Sequence, residues 1–165
     1  MKNYDIIVIG FGKAGKTLAV KAANLGKKVA VIEKSAQMYG GTCINVGCIP
    51  TKKLVNLSKE AQYVNNNVAG EYFTLSIEKK DALVSALRAK NFAMLDGNAN
   101  IDVINGTAKF MDKNSVEVTS PDGAKSVLTA PTIVINTGSV NEKPSFEVSS
   151  NLAYDSTGIL SLKTL

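Results

Sequence analysis

Cys43 and Cys48 are the only cysteines in the chain, five positions apart in the segment Gly40-Gly41-Thr42-Cys43-Ile44-Asn45-Val46-Gly47-Cys48-Ile49-Pro50-Thr51-Lys52. On an ideal helix, side chains at that separation point about 140° away from each other. A bond between the two sulfurs therefore needs a distorted turn, for which Gly47 supplies backbone freedom. Three readings of the pair stand side by side: a structural staple, two buried thiols, and a redox-active dithiol. A staple closing so short a loop would contribute only about 2 kcal/mol of chain entropy. A tight, strained disulfide is also easier to reduce than a structural one. Both points favour the redox dithiol.

A second pattern, Gly10-Phe11-Gly12-Lys13-Ala14-Gly15, has the spacing GxGxxG. Such spacing is common by chance; what gives it meaning is its place directly after an apolar run and at the start of a helical pattern. Gly10 would make the tight turn, Gly12 would let the backbone approach a pyrophosphate, and Gly15 would allow close packing of helix on strand. The N–H groups and positive dipole end of that helix favour phosphates. Glu33 ends the next apolar run, 18 residues after Gly15, where a carboxylate can accept hydrogen bonds from adenosine ribose hydroxyls. The pattern does not separate FAD from NAD, and the bland alternative is a glycine-rich turn with a solvated Glu33. Two further turns, Gly106-Thr107-Ala108 and Thr137-Gly138-Ser139, follow apolar runs and fall where a parallel sheet crosses beside a nucleotide.

The elements that must position these residues follow from periodicity. Tyr4–Ile9 and Val29–Ile32 are short apolar runs of the kind buried on both faces of a parallel sheet. Between them Ala14, Leu18, Ala22 and Leu25 recur at helical spacing, with Gly26 as C-cap. Strand, helix and strand make a βαβ unit with a right-handed crossover. A loop over 34–48 precedes a helix after Pro50 carrying Leu54, Leu57, Ala61 and Val64 on one face and ended by Asn65-Asn66-Asn67. Another helix is predicted over about 78–95, with Leu83, Leu87 and Met94 marking its core face. After Gly97 the period becomes two: 101–110, 115–120 and 125–129 read as strands, with a hairpin turn at Pro121-Asp122-Gly123. Ile133-Val134-Ile135 is again a short buried strand. The fold class is α/β: a doubly wound parallel sheet with flanking helices and a small antiparallel insertion.

Composition narrows the function. A 45% hydrophobic and 20% charged share describes an ordinary globular chain. No apolar run reaches the ~20 residues of a bilayer span, and no signal peptide is expected, which points to a reducing, cytoplasmic compartment. Two cysteines without any histidine do not make a zinc site, and the commonest general base is missing. The net charge of +5 comes from scattered lysines, with Arg88 the only arginine. That is not the clustered, arginine-rich surface of a nucleic-acid reader.

Taken in order, GxGxxG, Glu33, GGTCINVGCIPTK and the Thr137-Gly138 turn resemble the start of a class I pyridine nucleotide–disulfide oxidoreductase, the flavoprotein family of glutathione reductase, dihydrolipoamide dehydrogenase and mercuric reductase. IGFGKAGKTLA (9–19), MYGGTCINVGCIPTK (38–52) and YDSTG (154–158) resemble its bacterial reactive-chlorine-resistance branch, associated with hypothiocyanous acid and cupric ion reduction. The resemblance implies a Rossmann-like FAD-binding domain over 1–139, with 140–165 a connector toward a nicotinamide-nucleotide domain. It implies FAD as cofactor, with Gly10, Gly12, Lys13, Ala14 and Gly15 around the pyrophosphate and Glu33 at the ribose. Gly41 and Thr42 would lie along the flavin and its phosphates, Ala108 near the adenine, and Thr137 and Gly138 at the second turn. Cys48 would face the flavin ring, Cys43 would exchange with substrate, and Lys52 would sit near the flavin N5. Electrons would pass from NAD(P)H through FAD to the dithiol, and on to a small-molecule oxidant, as part of cell redox homeostasis.

Several family features do not occur in this sequence: a second GxGxxG unit, a later Gly-Asp flavin motif, and the histidine general base that the partner subunit donates in a homodimer. The expectation is an N-terminal fragment, without turnover by itself, of a parent that is a homodimer and contacts neither nucleic acid nor membrane. The alternative is a stand-alone nucleotide-binding module without a redox role. A thioredoxin-type protein is disfavoured, because the cysteine spacing is CxxxxC rather than CxxC.

Overall fold

The computed structural model describes residues 1–63 and 69–164, arranged as two compact units. Unit 1 comprises Met1–Gly41 and Arg88–Gly138; unit 2 comprises Thr42–Leu87 and Ser139–Leu165. The strands are β1 (Lys2–Asn3), β2 (Ile6–Ile9), β3 (Val29–Glu33), β4 (Ile101–Asn105), β5 (Thr107–Phe110), β6 (Ser115–Thr119), β7 (Lys125–Thr129) and β8 (Thr132–Ile135). The helices are α1 (Lys13–Asn24), α2 (Thr42–Asn45), α3 (Cys48–Ala61), α4 (Ala69–Asp96) and α5 (Ser156–Ile159).

Unit 1 is built on a four-stranded parallel sheet in the order β4-β3-β2-β8, with Ile6 opposite both Val29 and Thr132. Because successive side chains on a strand point to opposite faces, each strand feeds two cores. Val8, Val29 and Val31 pack with Phe11, Ala19, Ala22 and Ala23 around α1, and with Tyr39 and Leu95. Ile7, Ala30 and Ile32 pack the other way, onto Val116, Val118 and Leu128 of the second sheet. That sheet runs β1-β7-β6-β5: β5, β6 and β7 form the antiparallel meander, and β1 joins β7 in parallel. The hairpin turn forms as predicted: the Gly123 N–H donates to the Ser120 carbonyl, and Gly123 takes φ +85°.

Several expectations are corrected. The predicted strand over 101–110 is two strands in two different sheets, broken at Gly106, whose N–H donates to the Glu33 carbonyl. A Cβ there would lie 2.6 Å from Val118 Cγ1 and 2.7 Å from the Thr119 carbonyl, so the chain changes sheets where only glycine fits. On α1 the buried face is Gly15, Ala19, Ala22 and Ala23, whereas Ala14 is exposed and Leu18 and Leu25 are 40% and 83% exposed. Close approach of helix to sheet selects the smallest residues over the most hydrophobic ones.

In unit 2, α3 begins at Cys48 rather than after Pro50, and Leu57 is its most deeply buried hydrophobic residue. Val64 and Asn65-Asn66-Asn67 lie outside the described residues. Helix α4 is 28 residues long and starts well before the expected 78. It serves unit 2 up to Leu87 and unit 1 from Arg88 onward. Its buried positions are Ser76, Ile77, Lys80, Val84, Asn91 and Leu95, while Leu83 and Met94 are exposed.

Candidate functional site

In unit 1 the β2 strand runs into a turn whose three glycines are required for different reasons. Gly10 has φ +103°, and its N–H donates to the Ile32 carbonyl at 2.7 Å. A Cβ at Gly10 would fall 2.2 Å from the Asn136 carbonyl oxygen, so conformation and space both demand glycine. Gly12 and Gly15 have ordinary backbone angles and are glycine for space. A Cβ on Gly15 would lie 2.6 Å from Val8 Cγ1, the close helix-on-strand packing expected of it. Gly41 has φ +79° and approaches the turn from another direction: its Cβ would meet Gly12 Cα at 2.8 Å. Gly138, also at positive φ (+72°), ends unit 1, and Thr137 Cα lies 3.2 Å from where a Gly10 Cβ would be.

Gly12 is the N-cap of α1 and makes no side-chain cap, and the helix has no acidic residue in its first turn. The first intrahelical bond runs from the Lys16 N–H to the Gly12 carbonyl, so the N–H groups of Lys13, Ala14 and Gly15 have no partner within the helix. Lys13 and Lys16 flank this end. A helix that carries only cations at its positive end is arranged for an anion from outside. Lys16 donates to the Asn91 side chain, and burial, with help from the Lys13 charge, pulls its pKa down.

Glu33 ends β3 beside the turn. Its carboxylate accepts the Phe11 N–H at 2.9 Å and the Ser35 N–H at 3.1 Å, one on each oxygen. Each oxygen keeps a lone pair for a further donor. Ala108 sits on β5 opposite Val118, half-buried against the second core, two residues beyond the Gly106 link to Glu33. Unit 1 thus gathers Gly10, Gly12, Lys13, Ala14, Gly15, Glu33, Gly41 and Thr137 at one end of its parallel sheet.

Thr42, Cys43, Cys48 and Lys52 belong to unit 2. The helix breaks between the cysteines: Thr42 and Cys43 lie in α2, which ends at Asn45, and Cys48 is the first residue of α3. Gly47, the N-cap, has φ −135° and ψ −113°, neither helical nor extended, and a Cβ there would stand 3.0 Å from the Thr42 carbonyl. Both cysteines are exposed thiols. Lys52 is exposed one turn after Cys48, a separation that puts both on one face of α3.

Sequence reasoning missed three parts of unit 1. Asn136 donates its side-chain N–H to the Gly10 carbonyl at 3.0 Å. Phe11 is fully buried within the turn, its ring 4.9 Å from that of Tyr39, which in turn lies 4.8 Å from Phe92. Tyr39, just before the two glycines of the cysteine segment, donates its hydroxyl to Asn105 Oδ1 at 2.6 Å. The available signals were a polar residue closing an apolar strand and an aromatic residue inside a glycine-rich turn.

A family model for pyridine nucleotide-disulphide oxidoreductases matches residues 4–164. The chain belongs to that family. Over its full length it is 46% identical to the probable pyridine nucleotide-disulfide oxidoreductase RclA of Escherichia coli (strain K12), covering 36% of that protein. It is 39% identical to mercuric reductase of Lysinibacillus sphaericus, across 99% of this chain and 30% of that one. Among solved structures, the Cu(II) complex of the HOCl-induced flavoprotein disulfide reductase RclA from Escherichia coli matches with a TM-score of 0.89 at 44% identity, covering 99% of this chain and 35% of the other. The chain therefore spans about one third of the length of these relatives. Family members are oxidoreductases, and the structural relative is a flavoprotein. Unit 1 fits such a cofactor on its own geometry: an uncapped helix end without acids, a turn in which side chains would collide, and a carboxylate at the end of β3.

Proposed function

We propose that this chain is the FAD-binding portion of a NAD(P)H-dependent flavoprotein disulfide-type oxidoreductase, with Cys43 and Cys48 as its redox-active pair. The observation that carries the reading is the placement of the chain's two cysteines as exposed thiols on either side of a helix break. FAD would supply the two-electron chemistry linking a nicotinamide donor to the dithiol. Gly10, Gly12, Lys13, Ala14 and Gly15 would hold its pyrophosphate and Glu33 its ribose. Gly41, Thr42, Lys52, Ala108, Thr137 and Gly138 would supply the remaining contacts.

Cys43 would act outward: its thiolate attacks an oxidised sulfur of the substrate, and the substrate's leaving group departs with the bonding pair. Cys48 then attacks the Cys43 sulfur, closing the disulfide and releasing the reduced substrate. The two electrons of the dithiol pass to the substrate, and the two thiol protons go to its departing groups or to water. The substrate class is a small oxidant: hypothiocyanous acid or a disulfide, which carry the sulfur this step needs, or a metal ion, which would take its electrons from the dithiol without a covalent intermediate on substrate sulfur. The whole parent is proposed to be a cytoplasmic homodimer that contacts neither nucleic acid nor membrane, and this portion to be inactive alone. Among the described residues, no helix is long and apolar enough to cross a membrane.

Mild oxidation of the purified chain, followed by peptide mass mapping, tests the reading. The expected result is one intramolecular Cys43–Cys48 bond, reversed by dithiothreitol and lost in Cys43→Ser and Cys48→Ser. Oxidation that yields only intermolecular dimers would rule the pair out.

A further inference from the structure

The two turns that the proposed function assigns to the dinucleotide meet at one side chain that neither turn pattern contains. Asn136 follows β8 directly. Its backbone N–H donates to the Ile9 carbonyl at 2.8 Å, continuing the pairing of β2 with β8, and its side-chain Nδ2 donates to the Gly10 carbonyl at 3.0 Å. A carbonyl can only accept, so the amide must present its nitrogen, not its oxygen, to the turn. Space fixes the same placement. Nδ2 lies 2.9 Å from where a Gly12 Cβ would stand and 2.6 Å from where a Gly15 Cβ would stand, with Cγ at 2.9 Å from the latter. The side-chain amide therefore fills the space beside Gly12 and Gly15, the backbone carbonyl of the same residue fills the space beside Gly10, and the next residues are Thr137 and Gly138.

We propose that Asn136 is a positioning residue of the dinucleotide site, holding the Gly10–Gly15 turn in register with the Thr137–Gly138 turn so that both are preformed around the pyrophosphate half of FAD. The inference rests on reading unit 1 as the FAD cradle. The physical content is preorganisation: a turn already tied to the neighbouring strand loses little freedom on binding, whereas an untied one must be ordered by the ligand. The effect is largest at the phosphates: Asn136 bonds the Gly10 carbonyl directly, whereas Glu33, which accepts the Phe11 N–H of the same turn, is also held by the Ser35 N–H and by its place at the end of β3.

The test uses the 165-residue chain, measuring affinities for FAD, ADP and adenosine, with circular dichroism as the folding control. Asn136→Leu keeps the side-chain shape and removes the donor; Asn136→Ala removes both. Both variants are expected to bind FAD and ADP at least tenfold more weakly, by the same factor, with adenosine affinity within twofold of the unsubstituted chain. Should Asn136→Ala fail to fold, Asn136→Leu carries the comparison. Unchanged FAD and ADP affinity in a folded variant, or an equal fall for adenosine, overturns the role of Asn136 and leaves the cofactor reading standing. Failure of the unsubstituted chain to bind either FAD or ADP overturns the cofactor reading itself, and this inference with it.

Discussion

The two units are held together by different means. Unit 1 contains both apolar clusters of the described residues, and its strands bury alternate side chains on either face of the parallel sheet. Among the described residues, unit 2 buries fewer apolar side chains, including Leu57, Ile77, Val84 and Leu160, and adds polar anchors. The buried Lys80 donates to the Leu160 carbonyl at 2.6 Å and meets Asp81 at 2.7 Å, while Lys163 reaches Asp81 at 2.6 Å. The difference matches the tasks proposed for each. A cradle for a large coenzyme gains from rigidity, because disorder left in the free state must be removed on binding. A dithiol that exchanges with substrate has to remain accessible and to tolerate two covalent states.

That contrast can be broken most forcefully at Gly10. Gly10→Ala adds a Cβ 2.2 Å from a backbone oxygen at a residue with positive φ. It is expected to destabilise unit 1 by about 3 kcal/mol or more in urea unfolding and to abolish FAD binding. A loss below about 1 kcal/mol would mean that the turn is far more pliable than its packing indicates. Tyr39→Phe removes the hydroxyl bonded to Asn105 and is expected to cost about 1 kcal/mol, with the ring contacts retained.

Asp81 sharpens the comparison from the other side. Burial alone would raise its pKa, but hydrogen bonds from Lys163 and Lys80, and their charges, outweigh that and hold its carboxyl below the usual carboxylate range. A carboxyl more acidic when folded binds fewer protons than in the unfolded chain, so its stabilisation is full above about pH 4. It is lost as pH falls through the folded value. The melting temperature is expected to drop as the pH falls below about 4, and Asp81→Asn to flatten part of that drop; an unaltered profile in the variant would remove Asp81 as a cause. The smallest stability effect belongs to Cys43→Ser and Cys48→Ser, both exposed, with expected changes within about 0.5 kcal/mol. A larger loss would show that the thiols hold the fold together.

Much of unit 1 could be read before its structure was seen, because strands buried on both faces leave uninterrupted apolar runs and a dinucleotide turn leaves a spaced glycine signature. The buried face of α1 could not be read from hydrophobicity: where helix and sheet nearly touch, Ala19, Ala22 and Ala23 win over Leu18 and Leu25. Helix α4 hid its face for a different reason. It supports two units, and its buried positions include Ser76, Lys80 and Asn91, which no hydrophobic pattern marks. Gly106 was legible as part of a turn but not as a change of sheet. Asn136 carried the faintest signal, since its role lies in what three glycines make room for.

The most direct measurement is the absorbance spectrum of the FAD-loaded chain after its cysteines are reduced with dithiothreitol while the flavin stays oxidised. The expected result is a long-wavelength thiolate-to-flavin band that survives Cys43→Ser and vanishes in Cys48→Ser. A spectrum without the band in the unsubstituted chain, or a band that persists in Cys48→Ser, would contradict a shared electron route through flavin and dithiol.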